Sequence, residues 1–186
     1  TYDNSFHFFS EGILEFMVVS LEVGPTDDML DWADRIIANN PTKRVIVITH
    51  SYMMPNDSRD YVGGFGYLPA GSGNTGEEIW EKLVKKHENI FLVLSGHATN
   101  VDSHRGLLVS TGIKGNIVYQ QLNGEGHDGW LRILKFVPAE NKIYVSSYSP
   151  WKPKSPSQQF NQYEFSLPGY NRDSIHQYEL FYNMGK

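Results

Sequence analysis

The sequence predicts an α/β fold in which a parallel βαβαβ sheet is followed by an antiparallel sheet. Three observations predict it. Val45-Ile46-Val47-Ile48 and Phe91-Leu92-Val93-Leu94 are runs too apolar to own a wet face, as in central parallel strands. An amphipathic helical segment precedes each of them. From about residue 106 the pattern changes to closely spaced strand-like segments with no helix between them.

The first element is residues 14–21, Leu-Glu-Phe-Met-Val-Val-Ser-Leu, a continuous β-branched strand. Thr26, Asp27 and Asp28 then offer an N-cap and first-turn acids for a helix. Met29, Trp32, Ala33, Ile36 and Ile37 give it an apolar stripe, and Asn39-Asn40-Pro41 ends it. After the strand 45–48 comes Thr49-His50, then a long Gly-rich loop, 51–74. Thr75-Gly76-Glu77-Glu78 reads as a capping box, with Ile79, Trp80, Leu83 and Val84 as the buried side of a second helix. The strand 91–94 ends in Ser95-Gly96-His97. Alternation of strand and helix implies parallel pairing with right-handed crossovers. Segments 106–111, 116–122, 130–137 and 142–149 are the expected antiparallel strands, with Ala139-Glu140-Asn141 as a turn. Residues 150–186 read as an irregular, aromatic-rich tail that wraps back onto the body. The whole, 1–186, is expected to be a single domain: 12–97 the βαβαβ part, 98–149 antiparallel strands and 150–186 the tail.

Composition narrows the function. A net charge of −5 provides no basic surface for a phosphate backbone, which argues against nucleic acid as main partner. With no cysteine the chain has neither disulfides nor thiolate-bound zinc. No apolar run reaches the length of a membrane span, and no signal peptide is visible. Gly71-Ser72-Gly73-Asn74-Thr75-Gly76 matches a dinucleotide-binding glycine pattern, but no strand precedes it, and helix capping explains the run. No G-x-S-x-G elbow or phosphate-loop lysine is present. Asn56-Asp57-Ser58 forms a glycosylation sequon, with meaning only in a eukaryotic secretory pathway.

The chemistry concentrates on His50 and His97, each just past the carboxyl end of a buried strand. Open α/β sheets bind ligands at that end, and neutral imidazole is a ligand for zinc, manganese and iron. Gly96 is expected to let the backbone come close to such an ion. The bland alternative makes each histidine a polar cap on its strand.

Ile48-Thr49-His50 resembles the penultimate histidine motif of calcineurin-like metallophosphoesterases, and Ser95-Gly96-His97-Ala98-Thr99 resembles their final Gly-His-x-His motif. Gly129-Trp130-Leu131-Arg132 and Tyr148-Ser149-Pro150 are similar to a secreted bacterial branch of that family. The resemblance covers about residues 12–150, the C-terminal half of such a domain. It implies half of a β-sandwich flanked by helices, a chain that is part of a longer one, and metal-dependent phosphatase or phosphodiesterase activity on a phosphoester small molecule. It also implies divalent metal ions held in part by His50 and His97, and an extracellular or periplasmic location. The family's Gly-Asp-x-His, Gly-Asp-x-x-Asp and Gly-Asn-His motifs are absent, and Thr99 stands in place of the last histidine. Two imidazoles do not complete a sphere of four or more ligands. Asp102, His104 and His127 lie in loops within reach of the same rim and are the candidates to replace the ligand lost at Thr99, the bland alternative making each a solvated loop residue. Two other readings stay open: a non-catalytic binding or structural remnant of the fold, and a hydrolase of another ester class. If the N-terminal half is missing, the strand 14–21 becomes an apolar edge, to be covered by another segment, the tail or a homo-oligomer.

Overall fold

The computed structural model describes residues 3–60, 72–98, 105–124, 131–148 and 178–181. The chain divides into two compact units, residues 1–124 and 125–186.

The first unit holds a six-stranded mixed sheet. Its elements are β1 (Ser5–Glu11), β2 (Leu14–Ser20), α1 (Asp27–Ala38), β3 (Arg44–Ile48), α2 (Gly76–Lys82), β4 (Ile90–Ser95), β5 (Arg105–Thr111) and β6 (Ile117–Asn123). The spatial order is β1-β2-β3-β4-β6-β5. β2, β3, β4 and β6 run parallel, and the two edge strands, β1 and β5, pair antiparallel with their neighbours. The expected βαβαβ core is therefore present as β2-α1-β3-α2-β4.

The helices form where the capping chemistry placed them. Thr26 Oγ1 accepts from Met29 N, and Thr75 and Glu78 close a reciprocal capping box. Leu30, Ala33 and Ile37 of α1 and Ile79 and Trp80 of α2 are buried. They pack with Met17, Val19, Val45, Val47, Val93, Val118 and Leu122, alternate residues that share one face of the sheet. Among the described residues the other face carries no helix.

Several expectations are corrected. The segments 106–111 and 116–122 are strands, but they do not begin a separate antiparallel sheet. They are β5 and β6 of the first sheet, and β6 lies parallel to β4. The edge expected at 14–21 is occupied, because residues 5–11 form β1 against it in register Ser5↔Ser20 to Glu11↔Leu14. The glycine run, read as helix capping and not as a dinucleotide site, is a cap as expected and serves packing as well. A Cβ on Gly73 would lie 1.9 Å from Gly24 O, and one on Gly76 would lie 2.0 Å from Tyr52 O. These glycines let the start of α2 seat against two loops.

The second unit contains β7 (Leu131–Val137), β8 (Lys142–Tyr148) and β9 (Tyr178–Phe181), an antiparallel sheet in that order. A short 3-10 turn at Pro138–Glu140, closed by Asn141 in the left-handed region at φ 53°, joins the first two. Within the tail expected to be irregular, Tyr178–Phe181 is thus a strand on β8; the rest of 150–186 lies outside the described residues. No helix among the described residues is long and apolar enough to cross a membrane.

Candidate functional site at the carboxyl end of the parallel strands

The ends of β3 and β4 are tied together beyond the strands themselves. Thr49 N donates to Leu94 O at 3.1 Å, and Gly96 N donates to His50 O at 3.0 Å. On the other side Leu21 N donates to Ile48 O at 2.8 Å, and Thr49 Oγ1 donates to Glu22 O at 3.0 Å. This continuous ladder sets the backbone of His50 directly beside Gly96. The imidazoles of His50 and His97 consequently lie together, with ring centroids 4.7 Å apart and planes tilted by 42°.

His97 has φ 63°, in the left-handed region, and Ala98 N donates to Gly96 O at 2.7 Å across it. That is a γ-turn of the positive-φ kind, rare and strained. Such a conformation in a non-glycine residue costs on the order of 1–3 kcal/mol and is held only when the surroundings over-determine it. Strain at one of two converging histidines is what a site would keep, whereas a simple strand cap has no need of it.

His50 stands exposed at the strand end, yet partial desolvation, with the neighbouring His97 as a second cause, holds its pKa below the ordinary imidazole value of 6.5. The ring is therefore neutral at pH 7, with a lone pair for an electrophile. The residue after it is not a nucleophile in waiting. Ser51 is buried, and its Oγ donates to Asp60 Oδ2 at 3.3 Å. Gly96 is not forced by packing, since a Cβ there would meet Asn123 O at 3.4 Å, an ordinary contact. The same measurement places the end of β6 next to the histidine turn.

Of the residues named from sequence, the structure brings His50 and His97 together. Thr99, Asp102, His104 and His127 lie outside the described residues. Among the described residues no group of three or more His, Cys, Asp or Glu is arranged to hold a metal ion. Sequence reasoning overlooked polar residues that share this sheet end. Arg105 opens β5 opposite Asn123, the last residue of β6, and is buried. Gln121 is buried too, and its Oε1 and Nε2 have no hydrogen-bond partner among the described residues. The available signal was two consecutive glutamines, Gln120 and Gln121, inside an otherwise apolar strand.

No family model matches the chain. The sequence is 27% identical over 144 residues to the uncharacterized protein YvnB of Bacillus subtilis (strain 168), covering 74% of this chain. The chain spans about a tenth of that relative's length, since the match covers 10% of it.

Proposed function

We propose that the chain carries part of the metal site of a phosphoester hydrolase, with His50 and His97 as two of its metal ligands. The observation that carries the reading is the histidine pair, 4.7 Å between ring centroids, at the carboxyl ends of adjacent parallel strands. The donor set fits in part: two neutral nitrogens suit zinc, manganese or iron, and further ligands have to come from outside the described residues. A divalent cation held there supplies Lewis acidity toward a phosphoryl oxygen. His50 contributes an accessible ring whose pKa is lowered by partial desolvation and by His97, and the turn at His97 sets the second ring beside it. Phosphatase or phosphodiesterase action on a small phosphoester, and an extracellular or periplasmic location, belong to the same proposal. So does the assignment to the calcineurin-like metallophosphoesterases, which rests on the two histidine motifs.

Thr99 in place of a histidine favours a second reading, a binding or structural module of the same fold that has lost the chemistry. Crystals of the full chain soaked in millimolar Mn²⁺ or Zn²⁺ separate the two. Anomalous scattering between His50 and His97, lost in His97→Ala, is the expected result, with hydrolysis of p-nitrophenyl phosphate or its diester lost in the same variant. An empty position under millimolar metal would remove the hydrolase reading for this chain.

A further inference from the structure

The two edges of the six-stranded sheet are finished differently. On the β5 side, Leu107 N is capped by Asp57 Oδ1 at 3.0 Å, and Gly106 lies so close to Met54 O that a Cβ would sit 2.9 Å from it. The first part of that edge is covered by its own chain. On the β1 side no strand pairs outside β1 among the described residues. The strand also lacks the usual guards against edge pairing. Its register with β2 is unbroken, with no bulge, and Ser5–Glu11 contains no proline, no lysine and no acid before Glu11.

Both faces of β1 are open, and each carries exposed aromatic surface, Phe6 and Phe8 on one and Phe9 among Ser5, His7 and Glu11 on the other. Phe6, Phe8 and Phe9 are 39%, 51% and 47% exposed. Phe6 lies edge-on to Phe8 and against Trp32 of α1, on the helix side. Phe9 stacks on Phe16 at 4.8 Å, on the side away from the helices. Monomeric proteins rarely leave a contiguous aromatic strip on an unguarded edge.

We propose that β1 is a self-association edge, at which two copies of the chain pair antiparallel about Phe8 and join their sheets into one. The sequence of the strand is compatible with its own reversal. Full overlap sets Phe8 opposite Phe8, His7 opposite Phe9, Phe6 opposite Ser10 and Ser5 opposite Glu11. No like charges meet. Lys43, which lies 6.0 Å over the Phe8 ring, is already paired with Glu15 at 2.7 Å and adds no net charge to the seam. On the helix side the pairing creates an aromatic row running from Trp32 through Phe6 and Phe8 to the same residues of the second copy.

Sedimentation equilibrium of the full chain tests the pairing and its register. The wild type forms a dimer whose population rises with concentration, and Phe8→Lys, which sets two cations face to face, returns it to monomer with unchanged circular dichroism. Ser5→Lys, opposite Glu11 twice by symmetry, tightens the dimer by about fivefold, and Ser5→Glu loosens it by about the same factor. These strand-end variants decide the matter if Phe8→Lys fails to fold. A chain that stays monomeric at every concentration reached overturns the proposal, as does a dimer that responds in the same direction to both charges at position 5.

Discussion

At the scale of single residues, the histidine pair couples partial desolvation to protonation. His50 has its pKa lowered, first by partial desolvation and then by His97. The sign follows directly. Above the ordinary value of 6.5 both the folded and the unfolded chain hold a neutral ring, and His50 leaves stability unchanged. As pH falls below that value, the unfolded chain takes up its proton first, so stability drops until the folded ring is protonated too. Replacing His97 with glycine separates the two causes. His97→Gly removes the neighbouring imidazole and moves the His50 titration upward, by less than the full depression, because partial desolvation remains the larger cause. It also relieves the positive φ and raises stability by about 1 kcal/mol, since a side chain in that region costs roughly 1–2 kcal/mol. Histidine-resolved NMR titration and thermal melts at pH 7.5 check both effects. An unmoved His50 titration would mean that the rings do not sense one another.

At the scale of elements, α2 shows how local rules and close contacts combine. Its capping box was legible because Thr75 and Glu78 sit three apart before an apolar stripe, and both reciprocal bonds form, at 3.2 and 2.9 Å. The glycine at its first position was legible only as a pattern. Its reason is spatial: the backbone of Tyr52 passes where a Cβ would stand, 2.0 Å away. Gly76→Ala therefore costs about 3 kcal/mol, at the upper end for overpacking because the obstacle is backbone. Thr75→Ala, which removes only one cap bond, costs about 1 kcal/mol. Urea melts that give equal costs would contradict this account. Strands show the complementary limit. β2, β3 and β4 were legible because buried parallel strands write continuous apolar runs. β1 was not, because Ser5–Glu11 buries almost none of its side chains and is held by backbone bonds to β2. β5 and β6 were read as strands but placed in the wrong sheet, because an apolar pattern marks which residues are buried and carries no label for the partner strand. Long-range pairing, here Leu92↔Tyr119 to Ser95↔Leu122, is written in no local stretch.

At the scale of the whole first unit, the strand order decides where the histidine pair stands mechanically. β3 and β4 have strands on both sides, and His50 and His97 follow these two. Burial reinforces the position: Val45, Val47, Ile90, Leu92 and Val93 are fully enclosed. Sequence foresaw this placement, since both histidines were read beyond apolar strands, but it could not foresee that two further strands, β6 and β5, continue the sheet on the far side. Central strands open only with global unfolding, while edge strands open locally at much lower free energy. Native-state hydrogen exchange is therefore expected to be slowest in β3 and β4, including the Thr49 and Gly96 amides that extend their ladder. It is expected to be faster in β1, by at least about tenfold under conditions where the chain is monomeric. Raising the concentration into the dimer range should protect β1 and leave β3 and β4 unchanged, because only the outer edge gains a partner. If the Gly96 amide exchanges as fast as those of β1, the histidine turn is not locked to the central ladder. The strain at His97 would then lack the support that the strand order gives it.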